Sequence, residues 1–279
     1  MFSLSVDTSD LDLNFRQIGD KGAMVMAQIL ATETTLISLD LGFNDIGPKG
    51  ISHIATAMDF NSSLLTLNLE VNDIGHVGAS SLASVLLINT TLTSLNVGSN
   101  KLGLKGAEPL GMALCSNSSL TSLGLWDNLL GDAGLSSILS ALSHNSVLTD
   151  LNLSCNNIQR SGGFQVAALI TGCCSLCVLR LWDNEIDTEG AVEIATALHS
   201  NSTLRTLSLD HNKIGPIGGS ELAFALSMNS TLTELTLQGN DIDVRDLDSI
   251  NEDCHRNLLN FHQRTSTLLE LLSNLLDLP

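Results

Sequence analysis

Cys155, Asp183 and His211 follow one another at intervals of 28 residues. A thiol, a carboxylate and an imidazole are the groups of nucleophilic and acid–base chemistry. If a repeating backbone sets residues at that interval side by side, Asp183 and His211 are geometrically available as an acid–base pair, with Cys155 one step before them. A second set of residues shares the interval. The only two tryptophans stand in identical tetrapeptides, Leu125-Trp126-Asp127-Asn128 and Leu181-Trp182-Asp183-Asn184, two intervals apart, and Arg180 lies just before the second. Trp and Arg are the residues most enriched among those that dominate protein–protein binding, so this set points to recognition rather than bond making. Cys174 and Cys177 spell a C-x-x-C pair, but no second pair and no His pair stands at zinc spacing. The six cysteines suggest no disulfide framework for a chain of 279 residues and are read as reduced thiols in a reducing compartment.

The elements that must position these residues are visible as an internal repeat. "TLISLDLGFNDIG" from Thr35, "SLLTLNLEVNDIG" from Ser63, "TLTSLNVGSNKLG" from Thr91 and "SLTSLGLWDNLLG" from Ser119 are spaced by 28 residues. The same spacing continues through Val147, Ser175, Thr203 and Thr231, and reaches back to a degraded copy near Thr8 that has Arg16 where later copies have asparagine. Nine copies result, the first atypical. Each opens with L-x-x-L-x-L-x-x-N-x-[IL], whose inner alternation predicts a short strand with one face buried, Leu39/Leu41, Leu67/Leu69, Leu95/Val97 and Leu123/Leu125 pointing inward. The recurrent asparagine (44, 72, 100, 128, 156, 184, 212, 240) is read as structural, a side-chain amide satisfying backbone groups where the chain turns away from the sheet.

The second part of each copy changes to helical spacing, as in Ala191, Ile194, Ala195 and Leu198. A helix is expected after every strand. A recurrent glycine (22, 50, 78, 106, 134, 162, 190, 218) is expected to let the helix approach the strand layer, and Pro48 and Pro216 fit a first helical turn. Asn61, Asn89, Asn117, Asn145, Asn201 and Asn229 are expected to end the helices in the left-handed cap conformation. Five of them also spell N-x-S/T, read as a by-product of the repeat rather than as glycosylation sites.

The pattern closely resembles the leucine-rich repeat of the ribonuclease-inhibitor-like subtype, over residues 8 to about 257. The resemblance implies a right-handed α/β solenoid with a parallel sheet inside the curve and helices outside. Helices need about 10 Å of lateral room and strands about 4.8 Å, which also predicts an arc. The pattern fails after Leu237: Asp246 stands where the glycine recurs, and Asn260 and Gln263 stand at leucine positions. Residues 258–279, rich in leucine, are expected to form a helical cap over the last repeat, with a dimer or membrane contact as the rival.

On this template one outward column runs Asn14, Gly42, Glu70, Gly98, Trp126, Ser154, Trp182, Asp210, Gln238. Trp126 and Trp182 then stand two strands and about 10 Å apart, with Ser154 between them as a slot. Arg180, Asp127, Asp183 and His211 surround the pair, and Asp10, Asp12, Asp40 and Glu70 form an acidic shelf nearer the N-terminus. The expected site is this surface, and the expected ligand a protein. An open curved sheet has no phosphate loop, nucleophile elbow or metal-ligand cluster and excludes water badly, so catalysis is not expected and no cofactor is assigned.

Thirty acidic against 12 basic residues give a formal charge of −18, which disfavours nucleic acid and anionic membrane and favours a basic protein surface. No stretch has the length or apolarity of a signal peptide or a membrane span, so a cytoplasmic, monomeric protein is expected. The residues resemble equally the leucine-rich domains of NOD-like immune receptors, ribonuclease-inhibitor-type inhibitors and the leucine-rich effectors that intracellular bacteria deliver into host cells. A compact, self-capped chain that starts with Met favours a stand-alone binder or effector over a receptor fragment. A regulator of a GTPase is a further alternative, by fold analogy alone.

Overall fold

The computed structural model describes residues 9–173 and 175–276, with side chains described up to residue 267. Its strands are β1 (Asp10–Asp12), β2 (Ser38–Asp40), β3 (Thr66–Asn68), β4 (Ser94–Asn96), β5 (Ser122–Gly124), β6 (Asp150–Asn152), β7 (Val178–Arg180), β8 (Thr206–Ser208) and β9 (Glu234–Thr236). They form one parallel sheet in sequential order. Every pairing joins residues 28 apart, as Leu123 with Leu151 and Leu151 with Leu179, so the sequence period is the sheet register. The intervening helices are α1 (Gly19–Leu30), α2 (Pro48–Met58), α3 (Gly75–Ile88), α4 (Gly103–Ser116), α5 (Gly131–Leu142), α6 (Arg160–Gly172), α7 (Thr188–Ser200) and α8 (Gly215–Met228). A final helix, α9, spans Val244–Leu276. The fold is the expected α/β leucine-rich solenoid. Inward leucines of every strand and the Ala/Ile/Leu face of every helix merge into one buried core. A single repeat cannot bury its own apolar face, so each depends on its neighbours.

The recurrent asparagine carries the turn after each strand. Asn128 Nδ2 donates to the carbonyls of Val97, Leu125 and Trp126 at 2.9, 3.1 and 3.2 Å. Its Oδ1 accepts the N–H of Asn100 and Leu102 at 3.0 and 3.3 Å. The amide thus ties its own turn to the previous one, and the pattern repeats from Asn44 to Asn240. At the front edge Asn44 Oδ1 accepts the Arg16 N–H at 2.8 Å.

Residues flanking this asparagine turn left-handed: Val71, Asp127, Cys155 and Asp183 have φ of 50, 51, 57 and 54°. Aspartate supports that conformation, whereas a β-branched residue is strained in it. Val71→Asn is therefore expected to raise stability by about 1 kcal/mol, read as a higher urea midpoint at unchanged slope. A lower midpoint would show that the packing of the valine methyls outweighs the strain.

Two expectations need correction. None of the six helix-end asparagines is left-handed; Asn89, Asn117, Asn201 and Asn229 are extended, with ψ from 124 to 135°. They form a second ladder instead. Asn145 Nδ2 reaches back to the carbonyls of Leu114 and Asn117 at 2.8 and 3.1 Å, while Oδ1 accepts the N–H of Val147 and Leu148. The polar side chain, not backbone permissiveness, selects asparagine there. In the N-x-S/T tripeptides the same Nδ2 is committed to the previous repeat. The recurrent glycine, likewise, does not face the strands. A Cβ on Gly218 would lie 2.6 Å from Ile214 Cγ2 and 3.0 Å from the Ala191 Cβ, so it spares the helix entry and the preceding helix from collision.

The end of the solenoid also differs from expectation. The helix that covers the last repeat starts at Val244: Ile250, Cys254 and Asn257 are buried and Leu247 packs against the core beside them. Arg256 Nη2 donates to the Leu226 and Asn229 carbonyls at 3.1 and 2.9 Å, and Asn257 Nδ2 to those of Asn229 and Leu232 at 3.0 and 2.9 Å. Asn257, 28 residues after Asn229, continues the asparagine ladder, and Arg256 serves the Leu226 carbonyl beside it. Residues 258–267, within the segment expected to be the cap, are all exposed, although Phe261 lies 4.3 Å below the Arg205 guanidinium. The leucine side chains from Leu268 onward lie outside the described residues, as does Cys174 of the C-x-x-C pair.

Candidate functional site

The sheet face carries the expected residues, but their arrangement is not the expected slot. Trp182 is exposed, at 37%. Trp126 is half-buried because its indole leans one strand back: a Cβ on Gly98 would sit only 1.9 Å from its Nε1. Ser154, between them in the column, is fully buried and its Oγ has no partner among the described residues. The serine cannot be touched by a partner, and the open slot assigned to it is absent. The Trp126 ring lies on the Gly98 side, away from the serine, so the two indoles do not face each other across a gap.

The surrounding polar residues divide into bound and available groups. Asp210 is occupied, its Oδ1 accepting the Gln238 N–H at 2.8 Å and its Oδ2 the hydroxyls of Ser208 and Thr236. Asp127 Oδ2 accepts the Ser99 hydroxyl at 2.7 Å and stays exposed. Arg180 turns away from Trp182 toward the preceding strand, where Nη1 meets Asp150 Oδ1 at 2.6 Å. Farther back, Asp40 accepts the Gly42 N–H and the Asn68 amide at 2.8 and 3.0 Å, and Glu70 Oε2 accepts the Asn96 amide at 2.6 Å. Asp12 pairs with Asp40 in the register of β1 and β2, and Asp10 stands at the exposed start of β1. Among the described residues none of these shelf carboxylates has a cationic partner.

The three residues that could have formed a reactive set do not form one. Cys155 Sγ donates to Asp183 Oδ2 at 3.5 Å. Burial, and then the Asp183 carboxylate beside it, push the Cys155 thiol up to about 12, so it stays protonated and non-nucleophilic near neutral pH. His211 is exposed and its ring lies toward Gly239 on the far side, where a Cβ would meet Nδ1 at 2.4 Å. A carboxylate that raises a thiol's pKa, with the imidazole turned away, is the opposite of an activated nucleophile. Among the described residues no group of three or more His, Cys, Asp or Glu is arranged to hold a metal ion, and no helix is long and apolar enough to cross a membrane.

The sheet does hold a concavity that sequence inspection missed. It has a volume of about 380 Å³ and is bordered by Glu70, Asn96, Trp126, Asp150 and Arg180, with Gly124 in its floor. The third strand position is Asp12, Asp40, Asn68, Asn96, Asn152, Arg180, Ser208 and Thr236 in the other strands; only β5 has glycine there. That single gap in a polar column, next to Trp126, was the available signal. What hid it was the lean of Trp126 over Gly98 and of Arg180 toward Asp150, which depends on side-chain packing between neighbouring strands.

The Leucine Rich repeat family matches residues 32–55, 60–83, 89–111, 144–167, 172–195, 200–223 and 229–250, together more than half of the chain. Comparison with curated proteins returns no match. Among solved structures the chain is similar to actin-binding site 2 of leiomodin-1, at 20% identity and TM-score 0.46, covering 70% of this chain and 95% of that one. It is also similar to the tropomodulin C-terminal domain of Caenorhabditis elegans, at 13% identity and TM-score 0.49 over 68% and 98% of the two chains. An internalin of Listeria monocytogenes is similar at 23% identity and TM-score 0.48, over 79% of this chain and 60% of the internalin. Leucine-rich repeats are typically protein-binding scaffolds, usually without catalysis of their own. The family pattern recurs on the strand-and-helix units that build the nine-stranded sheet, and the chain belongs to the leucine-rich repeat family.

Proposed function

We propose that this protein is a non-enzymatic scaffold that holds a protein partner on its concave sheet, with Trp182 and Trp126 as anchors. The observation that carries the reading is the exposure of Trp182 on the sheet face, beside the exposed carboxylates of Asp127 and Asp183. An unburied indole on a rigid strand loses little conformational freedom on binding and removes a large apolar area from water. The net charge of −18 and the carboxylates of Asp10, Asp12, Asp40 and Glu70, which have no cationic partner among the described residues, support a partner with a basic surface. The 28-residue strand–helix unit supports the ribonuclease-inhibitor-like subtype, and with it an inhibitor, regulator or effector that acts by occupying its target.

Trp182→Ala is expected to weaken partner binding by about 2 kcal/mol or more while changing stability by far less than the roughly 3–5 kcal/mol of a buried Trp. Affinity capture with mass spectrometry, comparing wild type with Trp182→Ala, identifies the partner, and calorimetry with the purified pair gives the loss. Trp126→Ala should cost both binding and some stability, since its ring packs over Gly98. A partner that binds wild type and Trp182→Ala equally would move the interface off this face.

A further inference from the structure

We infer that the concavity floored by Gly124 is a pocket for one basic side chain of the partner, and that it takes a guanidinium in preference to an ammonium. The inference rests on the concave face being the protein-binding face. Three features of the pocket point to this ligand. The first is space. Only β5 lacks a side chain at its third position, and the Asn96 amide lies over that glycine, where a Cβ would meet its Oδ1 at 2.4 Å, so the concavity keeps its depth because no side chain rises from Gly124 to push Asn96 outward. The second is charge. Asp150 is compensated by Arg180 at 2.6 Å, whereas Glu70 accepts only the neutral Asn96 amide, leaving the pocket with one unmatched negative charge among its described groups. An anion is excluded by the same balance and by the −18 of the whole chain.

The third feature is the wall. In the outward column Gly98 separates Glu70 from Trp126, and the indole occupies the space of the missing Gly98 side chain. The ring is thereby carried toward the Glu70 side. A flat, delocalised cation can lie against an indole while its N–H fork meets a carboxylate, which a compact ammonium does less well. The Asn96 amide already orients Glu70 Oε2, so one oxygen is held in place and the other is left for the ligand.

The test uses the full chain carrying Trp182→Phe, which leaves Trp126 as the only fluorophore of its kind. Nα-acetyl-arginine amide is titrated at constant ionic strength, against the isosteric but uncharged Nα-acetyl-citrulline amide and against Nα-acetyl-lysine amide. A saturable change in Trp126 emission is expected with Kd on the order of 1–10 mM for arginine, weaker for lysine and at least about fivefold weaker for citrulline. Glu70→Gln should weaken arginine binding about tenfold, and Gly124→Asn, folded by its melting curve, should abolish it by filling the floor. No saturation, equal binding of citrulline, or an unchanged Kd in Glu70→Gln would overturn the pocket. Arginine bound less tightly than lysine would overturn the guanidinium preference. A partner whose binding depends on Trp182 but not on Glu70 or Gly124 would sink the pocket and leave the concave-face reading standing; arginine binding in a protein whose partner ignores Trp182 would do the reverse.

Discussion

Asn128→Ala is expected to destabilise the protein by about 4 kcal/mol, because two buried N–H groups lose their acceptor at once and each costs about 1–3 kcal/mol when left unsatisfied. The orphaned groups are the N–H of Asn100 and of Leu102, which the structure gives no other acceptor. The carbonyls that Asn128 Nδ2 serves are less dependent on it: Leu125 O also accepts from Asn156, Val97 O from Asn100 and Trp126 O from the Ser99 N–H. The damage therefore falls on the previous turn rather than on the residue's own. Asn44→Ala, at the front of the ladder, should cost about half as much, since the Arg16 and Ile18 N–H groups it serves are only partly buried. Urea unfolding of both variants measures the difference. A loss below about 1 kcal/mol for Asn128→Ala would mean that the turn relaxes to water, and the ladder would then be a consequence of the fold rather than a support of it.

Stopping the chain after Asp243 should prevent stable folding, whereas stopping it after Asn257 should leave a soluble protein. The first truncation removes Ile250, Cys254 and Asn257 from above Leu232, Leu235 and Leu237, and takes away the donors that Arg256 and Asn257 supply to the carbonyls of Leu226, Asn229 and Leu232. Uncovering three or four core leucines at about 1.5–3 kcal/mol each is comparable with the whole stability of an ordinary domain. Terminal repeats without a polar cover also aggregate. The second truncation removes the Phe261 ring below Arg205, a contact worth about 0.5–1 kcal/mol at an exposed site. Light scattering and thermal melts distinguish the cases. If the protein ending at Asn257 aggregates, the cap extends into residues 258–279; if it remains a stable monomer while the full chain dimerises, the tail is an association element.

The repeat architecture is contained in the sequence because it rests on periodicity alone. Leucines at alternate positions, an asparagine at a constant offset and a glycine-led helical run leave one solution once they recur every 28 residues, and the parallel register follows directly. Local chemistry also identified the structural asparagines of the turns, since a side-chain amide is the group that can both donate and accept there. The column map, for the same reason, placed Trp126, Ser154 and Trp182 on three successive strands. It could not decide what those side chains do in space. Side-chain rotation and packing between strands turned the Trp126 indole onto Gly98, buried Ser154, directed Arg180 to Asp150 and left His211 away from Asp183. Helix-end asparagines bond across repeats instead of adopting a left-handed cap, a choice made by carbonyls 28 and 31 residues away. The concavity over Gly124 belongs wholly to that level: its glycine is visible in the chain, but its walls come from five successive repeats and exist only when the strands lie side by side.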